Sequence, residues 1–348
     1  MRRPEIFFCV AIVACGARTD LGGAYRLGTR DAGDSGDTGD ARPPDAGPPP
    51  SPCVATAPIE LASGGKEIQF IALDDANVYW TDYALGTVNV VPKAGGAASV
   101  IAAARGNPSG LAVNAGTVYW TEFTGDVVAS APTIGGSVAT VASNQDGAYD
   151  VTASGDDLYW TTFRACTVGS IQDGASKQLD KASQPFSAIV STGSLVFWVS
   201  YETKSVESYD SQSNVHATLV HGGSNLPFTI ATDGANVYFG EATTTEMSIG
   251  AVPVGGGPTT TIYGTACDDD DGGLVGACLA SVATDGSFVY FTAAGSGDAT
   301  GAVAKVPIGG GEAAVLASGQ ARPFDVAVDD KCVYWSDLGD GTVWAAPK

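Results

Sequence analysis

One short stretch is written seven times in this chain, and nothing else in it limits the fold so tightly. Val78-Tyr79-Trp80-Thr81-Asp82 recurs as Val118-Tyr119-Trp120-Thr121-Glu122, Leu158-Tyr159-Trp160-Thr161-Thr162 and Val196-Phe197-Trp198-Val199-Ser200. It returns as Val237-Tyr238-Phe239-Gly240-Glu241, Val289-Tyr290-Phe291-Thr292-Ala293 and Val333-Tyr334-Trp335-Ser336-Asp337. The steps between the aromatic pairs are 40, 40, 38, 41, 52 and 44 residues. A period in this range marks a stack of one supersecondary unit.

Around each copy the same four runs can be read. A strand such as Phe324-Asp325-Val326-Ala327-Val328 comes first, then a turn such as Asp233-Gly234-Ala235-Asn236, then the aromatic strand. A third run follows, as in Gly301-Ala302-Val303-Ala304-Lys305-Val306-Pro307, and a turn at Ile308-Gly309-Gly310-Gly311 leads to a fourth, Glu312-Ala313-Ala314-Val315-Leu316-Ala317. Each run is short, β-branched, aromatic or small, and bounded by turn formers. Side chains alternate along a strand, so Val78 and Trp80 face one way and Tyr79 the other. Both faces are apolar, as a sheet buried on both sides requires. The spacing predicts an all-β fold, a seven-bladed β-propeller of four-stranded antiparallel blades. The seventh copy ends at its third run, Thr342–Lys348, while Ile59-Glu60-Leu61-Ala62-Ser63-Gly64-Gly65 precedes the first copy and resembles the fourth run at Val315–Gly319. The N-terminal strand is therefore expected to complete the last blade, which removes bare sheet edges.

These motifs carry a family resemblance. The aromatic strand ending in Thr-Asp or Thr-Glu resembles the YWTD repeat of the LDL-receptor class of propellers, and Pro323-Phe324-Asp325-Val326-Ala327-Val328-Asp329 resembles the repeats of NHL and gluconolactonase-like propellers. The resemblance spans nearly everything after residue 54 and implies a propeller. It leaves function open, because propellers host binding modules, scaffolds, lyases and hydrolases alike. The acidic fifth position is kept at Asp82, Glu122, Glu241 and Asp337 and lost at Thr162, Ser200 and Ala293, so a ring-wide polar network there would be incomplete.

The chain before the repeats reads as an address. In residues 1–15 two arginines precede an apolar run from Ile6 to Ala14, too short to span a bilayer and suited to a signal peptide. Ile12-Val13-Ala14-Cys15 resembles a bacterial lipobox, which implies lipidation at Cys15 and export to the cell envelope, with the outer membrane as the expected site. Residues 16–53 are rich in Asp, Gly and Pro and nearly devoid of apolar side chains, and they read as a disordered tether. Residues 54–348 form the propeller domain. The net charge of −21 argues against nucleic acid as a partner and fits a soluble, monomeric domain.

Of seven cysteines, five remain once Cys9 leaves with the signal peptide and Cys15 is lipidated, and export predicts disulfides among them. Cys267 and Cys278 flank the insertion behind the 52-residue step and form one expected pair; Cys53 and Cys332 form another, which would lock the ring. Cys166 is left over as a free thiol. The run Asp268–Asp271 invites calcium, but Gly272 stands where a third alternating ligand belongs, so a solvated acidic loop is the preferred reading. No cofactor and no metal site is expected.

Catalytic signals are weak. The two histidines, His216 and His221, fall on or after the outer run of the fourth unit. Asp150, Glu122 and Asp325 are carboxylates that could converge on the channel, but no spacing singles them out. No Gly-x-Ser-x-Gly elbow, P-loop or Cys-x-x-Cys occurs. One surface feature stands out: four successive units carry an aromatic directly after the repeated motif, at Tyr83, Phe123, Phe163 and Tyr201. These residues are the candidate ligand contacts at one mouth of the channel. The expected function is a lipid-anchored, non-catalytic binding module for a protein, peptide or glycan. The alternatives are a lactonase- or lyase-type propeller enzyme with a metal at the channel mouth, and a structural scaffold.

Overall fold

A computed structural model describes residues 53, 57–222, 225–242, 246–266, 279–295 and 299–348. The segments expected to be a signal peptide and a tether, Cys15, the Asp268–Asp271 run and both Cys267 and Cys278 lie outside the described residues, Cys53 excepted. Seven four-stranded antiparallel sheets account for all twenty-eight strands among the described residues. Their inner strands are Ile68–Leu73, Pro108–Asn114, Ala148–Ser154, Phe186–Thr192, Leu226–Thr232, Leu279–Thr284 and Pro323–Val328, which number blades 1 to 7. In blade 7 the order runs from Pro323–Val328 through Cys332–Asp337 and Thr342–Pro347 to Ile59–Ala62, so the N-terminal strand closes the ring as its repeats predict.

The aromatic strand sits second in every blade, and its two faces feed two different interfaces. Tyr79 of blade 1 packs with Trp120 of blade 2, Tyr119 with Trp160, and Tyr159 with Trp198. The series continues with Phe197 and Phe239, Tyr238 and Phe291, Tyr290 and Trp335, and returns to the start with Tyr334 against Trp80. Each of the seven core clusters is thus one blade-to-blade interface, and an aromatic from each side fills it. Burying one such ring is worth ~1.5–3 kcal/mol. The tyrosine hydroxyls escape the apolar cost by reaching the tight turn that precedes their own strand. Tyr79 donates to Asp74 at 2.5 Å, Tyr238 to Asp233 at 2.8 Å, and Tyr290 and Tyr334 to Asp285 and Asp329 at 3.0 Å each.

Threonine at the fourth motif position has a different task. Its hydroxyl reaches the inner strand of the next blade. Thr121 donates to the Tyr149 carbonyl and Thr161 to that of Ser187, both at 2.7 Å; Thr292 donates to Phe324 at 3.0 Å and Ser336 to Gln69 at 2.5 Å. Blade 4 has Val199 there, and Ser187 of its inner strand makes the equivalent bond to the Phe228 carbonyl at 3.3 Å. The acidic fifth position clasps the connector that enters its own blade. Asp82 accepts from Lys66 N at 2.8 Å, Glu122 from Gly106 N at 3.0 Å, and Asp337 from Ala321 N at 2.8 Å.

Cys53 and Cys332 form a disulfide with Cα atoms 5.2 Å apart, linking the segment ahead of the closing strand to the aromatic strand of blade 7. Cys166 departs from expectation. It is fully buried in blade 3 and disulfide-bonded, with its partner outside the described residues, so it is not a spare thiol.

Candidate functional site: an aromatic channel mouth

Every inner strand is irregular at the same place. In blade 1 the register passes from Ile68 opposite Asp82 to Ile71 opposite Trp80, which leaves Gln69 and Phe70 without regular partners. Equivalent bulges fall at Tyr149-Asp150 and Phe324-Asp325, and in each of the other blades. A bulge breaks the two-residue alternation and re-aims side chains. Here it lies at the end of the inner strand where the connector from the previous blade arrives. Tyr83 N donates to Glu67 O at this same end, so the loops after the aromatic strands and the bulges share one mouth.

The aromatics there form a continuous chain. Tyr83 and Phe123 have ring centroids 6.3 Å apart, Phe123 and Phe163 6.2 Å, and Phe163 and Tyr149 5.9 Å. Phe70 then contacts both Tyr149 and Phe324 edge-on at 5.7 Å. All six rings are only partly buried, whereas the rings between the blades are buried except for Tyr119. Three of the four residues expected from the sequence are therefore together. The fourth, Tyr201, is not in the chain of contacts: its ring lies against the core cluster that holds Phe197, Val199 and Phe239. Burial pushes its phenol above the ordinary range, with a bond to Ser187 opposing. Blade 4 offers only Ser187 and Ala188 at its bulge, so the bulge itself presents no aromatic for Tyr201 to stack on.

Phe70, Tyr149 and Phe324 are members the motif reading missed. The available signal was a large aromatic at the bulge of four inner strands, Phe228 of blade 5 being the fourth, where the remaining copies have serine, glycine or alanine. Arg164 is a further member. Its guanidinium lies 4.8 Å over the Phe123 ring, donates to Asp126 and Asp146 at 2.7 Å each, and donates to the Phe123 carbonyl at 2.6 Å.

Of the three candidate carboxylates, Asp150 and Asp325 share the channel and Glu122 does not join them. Glu122 is committed to Arg105, to Gly106 N and to Trp120 Nε1. No group of three metal-ligating side chains occurs among the described residues. His216 lies on the outer strand of blade 4, its ring 4.9 Å from that of Trp198. A recess of about 550 Å³ is also remote from the channel, between the outer strand of blade 5 at Thr261 and the blade 6 turn at Gly311.

No protein-family model matches the chain, and no curated protein sequence matches it. Solved structures do. Virginiamycin B lyase from Staphylococcus aureus superposes with a TM-score of 0.67 at 14% identity, covering 83% of this chain and 97% of the lyase. U3-55K gives a TM-score of 0.70 at 10% identity, covering 84% and 99%. A chain of the nidogen/laminin complex gives 0.51 at 15% identity, covering 67% and 89%. At such identities the likeness extends to architecture and no further: this chain is a seven-bladed β-propeller whose chemistry must be read from its own mouth.

Proposed function

We propose that this propeller is a non-catalytic binding module that docks a protein or peptide partner on its aromatic mouth. The observation that carries the reading is the contrast between two sets of rings. Those between blades are buried, with Tyr119 alone partly so, whereas Tyr83, Phe123, Phe163, Tyr149, Phe70 and Phe324 form one connected, partly open surface. Rigid aromatic anchors on a pre-formed concave scaffold are what binding hot spots are made of. The carboxylates near them lack the third ligand and the histidine that lactonase or lyase chemistry would call for, among the described residues.

Photo-crosslinking on native cell envelopes tests this. The wild type yields a crosslinked partner, and the Phe123→Ala/Phe163→Ala double variant, folded by circular dichroism, yields less than a tenth as much. Equal crosslinking by the two proteins overturns the reading.

A further inference from the structure

The seven inner strands around the channel carry very little charge. They hold two carboxylates, Asp150 and Asp325, one phenol, Tyr149, and no lysine, arginine or histidine. Asp150 belongs to blade 3 and accepts from Val151 N at 2.8 Å and from Ile189 N of blade 4 at 3.0 Å. Asp325 belongs to blade 7 and accepts from Val326 N at 2.9 Å, Ser281 Oγ at 2.6 Å and Ile71 N of blade 1 at 2.9 Å. Neither takes part in an ion pair among the described residues. Buried charges are normally paired, because the interior solvates them poorly. Burial accordingly pushes the Asp150 carboxyl up to about 7, against its backbone bonds and with the Asp325 charge adding to the rise. Burial pushes Asp325 up to about 6, against its own hydrogen bonds. The two carboxylates sense one another although their blades stand apart in the ring.

Both carboxylates directly follow a mouth aromatic, Tyr149 in one strand and Phe324 in the other, and the Phe70 ring bridges those two aromatics. Aromatic faces next to uncompensated negative charge suit a cation with an apolar stem. The rim shows the same pairing in miniature, where Arg164 covers Phe123 between Asp126 and Asp146. We propose that the channel mouth receives a lysine or arginine side chain of a peptide partner, which lies against Phe70, Tyr149 and Phe324 and supplies the countercharge that Asp150 and Asp325 lack. This inference rests on the mouth being a binding surface and adds the charge of what it binds. The net charge of −21 draws basic segments toward the whole molecule, whereas the carboxylate pair gives the attraction one address.

The pH dependence follows from the same geometry. A bound cation favours the ionised carboxylates, so binding releases protons and affinity rises with pH until both groups are ionised in the free protein, above about 7. The strands packed on these two inner strands add Tyr119, Glu122, Asp157, Tyr159, Tyr290, Lys305, Tyr334 and Asp337, of which Lys305 lies over the Phe288 ring and Tyr290 donates to Asp285. Asp157 and Asp337 accept from Tyr159 Oη and from Ala321 N, and Tyr334 donates to Asp329. At the rim, Arg105 pairs with Glu122, and Arg164 pairs with Asp126 and Asp146.

The test titrates the full chain with labelled Gly-Gly-Arg-Gly-Gly, its lysine analogue and its citrulline analogue, read by fluorescence anisotropy. At pH 8 the arginine or lysine peptide is expected to bind at least tenfold more tightly than the citrulline peptide. That preference should fall at least fivefold at pH 5.5, and equally in Asp325→Asn and Asp150→Asn at pH 8. Asp173→Asn, an exposed turn carboxylate of blade 3, should leave it unchanged. Equal binding of the arginine and citrulline peptides overturns the inference while leaving an aromatic docking surface standing. A cation preference that survives both channel substitutions also overturns it, since the attraction is then diffuse. No binding of any peptide, with Phe123-dependent crosslinking intact, rejects the cation and retains the partner. Should an asparagine variant fail to fold, the wild-type pH profile and Phe70→Leu carry the same decision.

Discussion

At Gly240 an added Cβ would stand 2.3 Å from Leu279 Cδ2 and 2.5 Å from Thr229 Cγ2. This is the position where four other copies of the motif carry threonine, and here the neighbouring blade has taken the space. Gly240→Ala is expected to cost ~1–3 kcal/mol through overpacking, while Gly255→Ala, with nothing within 4 Å, costs under ~0.5 kcal/mol. Urea midpoints of the two variants check the difference, and equal midpoints would show that the interface yields. Residues of this kind mark the boundary of what the sequence discloses. The buried Tyr and Trp rings were legible because their burial follows from local alternation repeated seven times. Phe70, Tyr149 and Phe324 were not, because their contact runs across the channel between blades distant in sequence. Tyr201 occupies the same motif position as Tyr83, and only the small residues Ser187 and Ala188 beside it explain why its ring does not join the others.

Within a blade, the aromatic strand is a two-sided connector with polar fittings at each end. Its tyrosine secures the turn before it, its acidic residue secures the connector into its blade, and its threonine stitches it to the next inner strand. Thr161 is the most heavily engaged example: it accepts from Asp150 N at 3.2 Å and donates to Ser187 O at 2.7 Å, with no solvent access. Thr161→Val keeps the shape and strands both partners, so a loss of ~1–3 kcal/mol is expected. Chemical denaturation measures it, and a change below ~0.5 kcal/mol would mean the stitch adds nothing. The inner strand was legible as a strand and not as a bulge. Its apolar pattern places Phe324 and Asp325 on opposite faces, and the irregular register undoes that rule where the site is built.

At the scale of the whole molecule, the ring is closed three times over. The closing strand pairs with Thr342–Pro347, Lys93 of blade 1 bonds Asp329 of blade 7 at 2.7 Å, and Cys53 is bonded to Cys332 across 279 positions of sequence. Cys53→Ser is expected to lower stability by ~2–4 kcal/mol, seen as an earlier urea transition. An unchanged transition would assign closure to the strand and the ion pair alone. This repetition explains why blade number and closure could be counted from sequence, whereas the mouth's preference for a ligand could not. Closure repeats, and a site is where copies differ.

The position of that disulfide has a mechanical consequence. The closing strand is antiparallel to its neighbour, and Cys53 lies ahead of it in the chain. Tension arriving from the N-terminal side meets Cys53 before it meets Ile59. It crosses into the Cys332–Asp337 strand through a covalent bond and bypasses the hydrogen bonds of the strap. Without the bond, the same tug would peel the strap from its end, one hydrogen bond at a time. With it, the propeller can be pulled by its leading segment and remain shut.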